Sequence, residues 1–159
     1  MSTWCDALFG YKMKIRPYTP TDFDAVTTLW RRARELAFPE FQRTKGHTFE
    51  EDRAYFQNNI LEENSVYVAD MDGIAVAFMA IKDDFIDQLY VAPTHQRQGI
   101  GKALLEFART FSPERLWLYT FQINTNGRAF YEKNGFIATK FGVSPPPESE
   151  PDVLYEWNK

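Results

Sequence analysis

The feature that most constrains this chain is the junction between a strand-like segment and an amphipathic helix at residues 91–108. The apolar run that contains Val91 stops at Pro93, and polar residues follow as far as Gln98. Gly99 and Gly101 then open a segment whose apolar residues recur at helical spacing. These residues are Ile100, Leu104, Leu105, Ala108 and Phe111. Because glycine lets an anion approach the free N–H groups of a helix start, the junction predicts a phosphate-binding turn.

Two common phosphate-binding motifs do not fit this turn. The dinucleotide pattern G-x-G-x-x-G fails because Leu104 occupies the third glycine position. The P-loop pattern G-x-x-x-x-G-K-[ST] fails at Gln96, its first glycine position, and at Ala103, where a hydroxyl should bind magnesium. What remains is the pattern Gln96-x-x-Gly99-x-Gly101 directly after a strand. A nucleotide-binding module is an alternative that binding of ATP or NAD would support.

Composition and charge exclude several classes of protein. Hydrophobic residues make up 44% and charged residues 25% of the 159 residues, as in a soluble globular domain. The net charge of −4 provides no cationic field for nucleic acid or an anionic membrane. The single Cys5 excludes an internal disulfide, and His47 and His95 lie far apart with no second ligand at metal spacing. Without a membrane-length apolar run or a secretory signal, we expect a cytoplasmic protein.

The remaining pattern predicts a mixed α+β fold in a single domain of residues 1–159, with residues 1–12 as a loose extension. We expect a strand at 13–18, helices at 19–38 and 48–64, and three strands within 65–93. A strand, a short helix and two strands follow the helix of the glycine turn. Residues 39–47 and 144–151 are expected to be loops. Hairpins and crossovers together indicate a central, mostly antiparallel mixed sheet of six to seven strands, flanked by helices on both faces.

The alternation of the strand that precedes the glycine turn is interrupted. Leu89 and Val91 share one face, and Ile86 joins them only if the strand holds an extra residue at Asp87 or Gln88. Such a β-bulge leaves backbone groups unpaired and is common beside binding sites. The alternative is that Ile86 packs on the opposite face under a helix. The pattern alone does not decide between the two.

The sequence around the turn resembles a known family. Residues 96–101, QRQGIG, are similar to the (Q/R)-x-x-G-x-(G/A) coenzyme A signature of the GCN5-related N-acetyltransferases, the GNAT family. The run IDQLYVAP resembles that family's fourth strand, and NGRAFYEKNGF resembles its N-x-x-A-x-x-F/Y-Y-x-x-x-G-F region. The resemblance covers residues 13–157, and its specific motifs lie in residues 86–136. It implies a fourth strand that is splayed from its neighbour, and it favours the bulge.

The resemblance also implies how acetyl-CoA, the expected cosubstrate, is held. The turn amides would bind its pyrophosphate, with positive charge added by Arg97 and Lys102. The backbone of residues 89–91 would pair with the pantetheine arm, and Asn126 resembles the family's asparagine near the thioester, with Asn124 as the alternative. The implied cofactor-binding residues are Leu89, Tyr90, Val91, Gln96, Arg97, Gln98, Gly99, Ile100, Gly101, Lys102, Ala103 and Asn126.

Two side chains are implied for the chemistry. Tyr131 fits the family's general acid, since a phenol with an ordinary pKa of about 10 is protonated at neutral pH and can donate to a leaving thiolate. Asp87 is the candidate base for the attacking amine, acting directly or through water, with main-chain carbonyls as further contributors. Glu50 and Glu51 are expected to line the acceptor site. No metal is expected, because the thioester is already activated.

These inferences predict an acetyl-CoA-dependent N-acetyltransferase that acts on a primary amine. A small-molecule amine is preferred, because no extra domain or basic docking tail points to a protein target. The alternatives are a protein acetyltransferase acting on N-termini or lysines, and a non-catalytic acyl-CoA sensor. Neither nucleic acid nor a membrane is expected as a partner, and the resemblance allows a homodimer through the C-terminal strands.

Overall fold

The computed structural model describes residues 3–6 and 12–159, whose strands form one eight-stranded sheet in the order β1-β2-β3-β4-β5-β6-β8-β7. Neighbouring strands are antiparallel except β5 and β6, which are parallel. The strands are β1 (Thr3–Asp6), β2 (Lys12–Pro17), β3 (Ser65–Met71), β4 (Ile74–Lys82), β5 (Phe85–Val91), β6 (Arg115–Phe121), β7 (Ile137–Val143) and β8 (Pro151–Asn158). The predicted mixed α+β fold is confirmed. The extra strand, β1, lies in the expected loose extension, of which residues 1–2 and 7–11 lie outside the described residues.

Helices lie on both faces of the sheet. They are α1 (Phe23–Ala37), α2 (Pro39–Lys45), α3 (Phe49–Tyr55), α4 (Leu61–Glu63), α5 (Ile100–Phe111) and α6 (Thr125–Lys133). A π-helical turn at Phe56–Ile60 joins α3 to α4, so the helix expected at residues 48–64 is continuous. No helix within the described residues is long and apolar enough to cross a membrane.

Helix α2 occupies the segment that was expected to be a loop. Pro39 stands in its first turn, where the missing N–H costs nothing. Phe41 is buried, with its ring 5.6 Å from Phe38 and 4.9 Å from Phe121 of β6. The loop prediction was wrong because these aromatic contacts, of which the one with Phe121 is long-range, stabilise a helix of only seven residues.

Strand β4 lies at the centre of the fold and is covered on both faces. Its seven residues from Ala75 to Ile81 are all buried, as expected for a strand between two layers of helix. Met79 packs with α5 and α6 on one face, whereas Phe78 packs with α1 and the π-helical turn on the other. The two apolar clusters fix the sheet between the helix layers.

Strands β5 and β6 diverge after a single register pair, Phe85 with Trp117. The Trp117 amide donates to the Asp84 carbonyl at 3.0 Å. The Asp84 carboxylate accepts hydrogen bonds from Trp117 Nε1 and from Arg115, both at 2.8 Å. Beyond this closed end, the edge of β5 that faces β6 has no strand partner within the described residues. The splay that the resemblance implied is therefore present.

A bulge at Asp87 accounts for the interrupted alternation of β5. Ala80 is paired with Gln88 and the next residue of β4, Ile81, with Ile86, so Asp87 is the extra residue. Ile86 lies in the same apolar cluster that Leu89 and Val91 pack against. The bulge prediction is confirmed, and the alternative placement of Ile86 on the opposite face is wrong.

Candidate active site between β5 and β6

The splay creates a cavity of about 50 Å³ between β5 and β6. Residues 86–90 and 118–120 line its two sides, and Asn124 and Tyr131 complete it. Tyr131 belongs to the apolar cluster on the α5 side of the sheet, whereas Tyr90 packs against the cluster on the α1 side. The cavity is therefore lined from both faces of the sheet. It brings together Asp87 and Tyr131, the two side chains predicted to carry the chemistry.

Tyr131 is packed among aromatic neighbours. Its ring centroid lies 5.2 Å from that of Phe130, 5.7 Å from Phe136 and 6.0 Å from Tyr155. Burial, together with the nearby Tyr90, raises the pKa of Tyr131 well above its ordinary value. The phenol is consequently neutral around pH 7 and available as a proton donor.

Asp87 projects from the bulge and is held by a residue that sequence reasoning missed. Asn64 Nδ2 donates to Asp87 Oδ2 and to the Ile60 carbonyl, each at 3.1 Å. Burial raises the pKa of Asp87, hydrogen bonds from Asn64 and Gln88 oppose that rise, and Glu63 adds to it. A carboxylate with a raised pKa is a better proton acceptor, as a general base requires. Asn64 carries no motif, so only the tertiary contact identifies it.

Tyr90 is a second tyrosine among the residues that line the cavity. Sequence reasoning assigned only its backbone a role, but its ring stacks on Phe78 at 6.2 Å. Burial raises the pKa of Tyr90, Arg34 opposes the rise, and Asp87 adds to it. The charge of Asp87 thus raises the pKa of Tyr90, and Tyr90 in turn raises the pKa of Tyr131. Strand alternation after the bulge could have indicated which face of the sheet the Tyr90 side chain occupies.

The glycine turn has a left-handed backbone conformation at two of its residues. Gly99, the N-cap of α5, has φ +84°, and Arg97 has φ +62°. A Cβ added at Gly99 would meet nothing within 4 Å, so the backbone conformation and not crowding favours glycine there. The Ala103 amide, predicted to bind phosphate, donates to the Gly99 carbonyl at 3.0 Å. The preceding helical amides, those of residues 100–102, are the ones left without intrahelical acceptors.

Two residues of the Gln96-x-x-Gly99-x-Gly101 pattern have structural roles in this turn. Gln96 Nε2 donates to the Val91 carbonyl at 3.1 Å and so ties the turn to the end of β5. A Cβ at Gly101 would lie 3.0 Å from Phe130 Cζ, so glycine lets α6 pack against the start of α5. By contrast, Arg97, Gln98 and Lys102 are exposed around the turn. The turn is thereby connected both to the splayed strand and to the helix that carries Tyr131.

Asn124, and not Asn126, lies at the cavity. Asn124 is the N-cap of α6: its Oδ1 accepts from the Gly127 amide at 3.1 Å, and its Nδ2 donates to Thr120 Oγ1 at 3.2 Å. Asn126 is exposed in the first turn of α6. The geometry thus favours the alternative over the first assignment, because the cap residue adjoins β6 while the helix directs Asn126 outward.

Glu50 and Glu51 do not line the cavity; they lie exposed at the start of α3. The Thr48 amide donates to Glu51 Oε2 at 2.7 Å, and Thr48 accepts from the Glu51 amide, so Glu51 completes a capping box. The Glu51 carboxylate thus stabilises the first turn of α3. Within the described residues, no group of three or more His, Cys, Asp or Glu is placed to hold a metal ion.

Comparison with known proteins yields consistent matches. A family model described as Acetyltransferase (GNAT) family matches residues 30–136. The peptidyl-lysine N-acetyltransferase YjaB of Salmonella typhimurium is 29% identical over 128 residues, which span 80% of this chain and 85% of that protein. The solution structure of apo-form YjaB from Escherichia coli has a TM-score of 0.78 at 23% identity, over 91% of this chain and 97% of that one. The PaiA N-acetyltransferase of Thermoplasma acidophilum, solved in complex with coenzyme A, has a TM-score of 0.64 at 20% identity, over 92% and 99% of the two chains.

Proposed function

This chain belongs to the acetyltransferase (GNAT) family, and on that premise we propose that it transfers the acetyl group of acetyl-CoA to a primary amine in the cavity between β5 and β6. One observation carries the proposal. Tyr131 and Asp87 both line this cavity, beside an edge of β5 that has no strand partner within the described residues. A proton donor and a proton acceptor of raised pKa are what amine acylation needs.

The chain's own residues fit coenzyme A. The free amides of residues 100–102, with the exposed side chains of Arg97 and Lys102, suit a pyrophosphate at the start of α5. Within the described residues, the edge of β5 at residues 89–91 that faces β6 has no strand partner. The Val91 carbonyl already accepts from Gln96, and the remaining backbone groups of this edge are offered to the amides of a pantetheine arm. Bound acetyl-CoA would supply the activated thioester. The acceptor amine would reach the thioester's carbonyl carbon between the splayed strands β5 and β6.

Asp87 and Tyr131 have complementary tasks. Asp87 takes a proton from the acceptor ammonium, which has no lone pair until it is deprotonated. Tyr131 keeps its proton because burial raises its pKa, and it can donate to the sulfur that carries developing negative charge. Asn64 holds the Asp87 carboxylate, and Asn124 holds the start of α6 against Thr120.

Negative charge beside the cavity suits a cationic acceptor. The ring of Tyr55 is half exposed and stacks on Trp30 at 6.4 Å. Burial raises the pKa of Tyr55, and Asp87, Glu63 and Glu148 add to the rise, so these carboxylates lie around it. An ammonium group is attracted by the same field.

Two acceptor classes follow from different observations. The sequence favours a small-molecule amine, whereas the printed name of the YjaB relative supports a lysine side chain in a peptide. Both are primary amines and would use the same base and acid. The choice between them therefore depends on how the region around Tyr55 accommodates the rest of the acceptor.

The deciding experiment has two stages. Calorimetric titration of the purified chain with acetyl-CoA, and with ATP and NAD as controls, is expected to show binding of acetyl-CoA alone. Thiol release is then measured with a panel of small amines and with a lysine peptide whose N-terminus is blocked, and mass spectrometry identifies the product. Absence of acetyl-CoA binding would contradict the proposal. Binding without thiol release for any amine would support the non-catalytic sensor instead.

A further inference from the structure

A second cavity, of about 480 Å³, lies at the closed end of the splay, and the proposed reaction does not use it. Its volume is within the range of about 300–1,000 Å³ that is typical of small-ligand sites. It shares no lining residue with the cavity that contains Asp87 and Tyr131. The residues that define its chemistry are Ser65, Tyr67, Asp83, Asp84, Phe111 and Ser112.

Aromatic rings form one wall of this cavity. The rings of Tyr67 and Phe111 stack with centroids 5.2 Å apart and planes 28° apart, and Phe107 meets each of them edge-on at 5.0 Å. Phe111, the last residue of α5, is 48% exposed although it is large and apolar. The face of an aromatic ring is electronegative and attracts cations that lie within about 6 Å.

Asp83 provides the uncompensated charge of the cavity. It is exposed, has φ +55°, and makes no ion pair with any residue in the described part of the chain. Asp84, in contrast, is paired with Arg115 at 2.8 Å. Lys82 is the nearest cation in sequence, but strand alternation directs it away from the face that lines the cavity. The lining of the cavity thus combines the Asp83 carboxylate with exposed aromatic carbon.

We propose that this cavity binds a small organic cation with an apolar body. The cationic group lies within reach of Asp83 and of the ring faces of Phe111 and Tyr67, and the apolar body packs on the same rings, a combination that recognises alkylated ammonium groups. Ser65 and Ser112 line the same space. The Ser112 hydroxyl donates its proton to the Arg115 carbonyl, so towards a ligand it can act only as an acceptor. The proposal does not depend on the acetyl-transfer reaction.

The test uses benzyltrimethylammonium, which has no N–H bond and therefore cannot serve as an acetyl acceptor. It is titrated into the full chain while backbone amide chemical shifts are followed, with neopentylbenzene as the neutral compound of the same shape. We expect saturable shifts at Asp83, Phe111 and Ser112 for the cation, and none for the neutral compound. Asp83→Asn should weaken binding about threefold to fivefold, and Phe111→Leu by about threefold.

Asp72→Asn is the matched control. Asp72 is also an exposed aspartate with φ +55° in a tight turn, between β3 and β4, but it does not line this cavity. The control should leave the affinity for the cation unchanged. The dispersion of the amide spectrum shows whether each variant is folded.

Three results would overturn the proposal: no saturable shift, equal binding of the neutral compound, or unchanged affinity in Asp83→Asn. Loss of binding in Asp87→Asn with retention in Asp83→Asn would place the cation in the acceptor cavity, and it would also overturn the proposal. Failure of acetyl transfer would leave this site standing, and absence of this site would leave acetyl transfer standing. The two proposals therefore fail independently.

Discussion

Asn64 donates a hydrogen bond from Nδ2 to Oδ2 of Asp87 across 3.1 Å and thereby joins the end of α4 to the bulge of β5. The π-helical turn at Phe56–Ile60 lies just before this contact, and such turns are frequent near functional sites. Because the hydrogen bond favours the charged form of Asp87, Asn64 opposes the rise in pKa that burial causes. We therefore assign Asn64 as a positioning residue for the proposed base.

Asn64→Ala should move the acidic limb of the pH–rate profile to higher pH. Without the Asn64 hydrogen bond the pKa of Asp87 rises further. At a given acidic pH, a larger fraction of the molecules then has a protonated Asp87 that cannot act as a base. Activity is lost as the pH falls through this pKa, so the variant should be impaired more at pH 6 than at pH 8. The measurement is kcat/KM against pH.

The control for this prediction is Asn58→Ala, which changes an exposed asparagine of the same helical segment. It should leave the acidic limb in place. Asn64→Ala also removes the hydrogen bond to the Ile60 carbonyl, and losing it should cost about 1 kcal/mol of unfolding free energy. An equal loss of rate at every pH would indicate that Asn64 is merely structural.

Tyr131→Phe should lower kcat by about 10²–10⁴-fold, the contribution typical of a positioned proton donor. The ring contacts with Phe136 and Tyr155 remain, so the unfolding temperature and the acetyl-CoA affinity should change little. Steady-state rates and calorimetry measure the two effects separately. A variant that retains wild-type kcat would exclude Tyr131 as the acid.

Tyr155→Phe is a matched control for that substitution. The Tyr155 hydroxyl donates to Glu132 at 2.7 Å and accepts from Arg128 at 3.1 Å, and the residue does not line the cavity between β5 and β6. Removing it should lower the unfolding free energy by about 1 kcal/mol and leave kcat unchanged. The pair of variants therefore separates catalysis from stability.

Gly99→Ala should weaken acetyl-CoA binding, whereas Gly73→Ala should not. The two glycines have similar φ values, +84° and +87°, and an added Cβ at either meets nothing within 4 Å. Each substitution should therefore cost about 1–2 kcal/mol through the left-handed backbone conformation. Of these two glycines, only Gly99 belongs to the turn at the start of α5. Equal cofactor affinity in the two variants, measured by calorimetry, would argue against phosphate binding at that turn.

Asn124→Ala should reduce both stability and kcat/KM, whereas Asn126→Ala should change neither. Loss of the α6 N-cap costs about 1 kcal/mol, and the hydrogen bond to Thr120 beside the cavity is lost with it. Thermal unfolding and initial rates measure the two effects. If Asn126→Ala were the more damaging substitution for the rate, the first assignment from the family resemblance would be correct.

Local patterns indicated several features of this protein. The alternation broken at Asp87 left two possibilities, a bulge or Ile86 on the opposite face, and the family resemblance favoured the bulge. The pattern from Gln96 to Gly101 predicted the strand–turn–helix junction, because glycine has access to backbone conformations that other residues avoid. Both features rest on backbone geometry that spans only a few residues.

Tertiary structure decided the rest. The Asn64–Asp87 hydrogen bond joins residues 23 positions apart, and Phe41 stabilises α2 only through Phe38 and the distant Phe121. The pKa values of Asp87 and Tyr131 rise because the folded chain buries them, and burial is set by elements that arrive from elsewhere in the sequence. Sequence patterns were therefore enough to identify the family, the mixed type of sheet and the turn, whereas packing set which polar groups meet and how strongly they hold their protons.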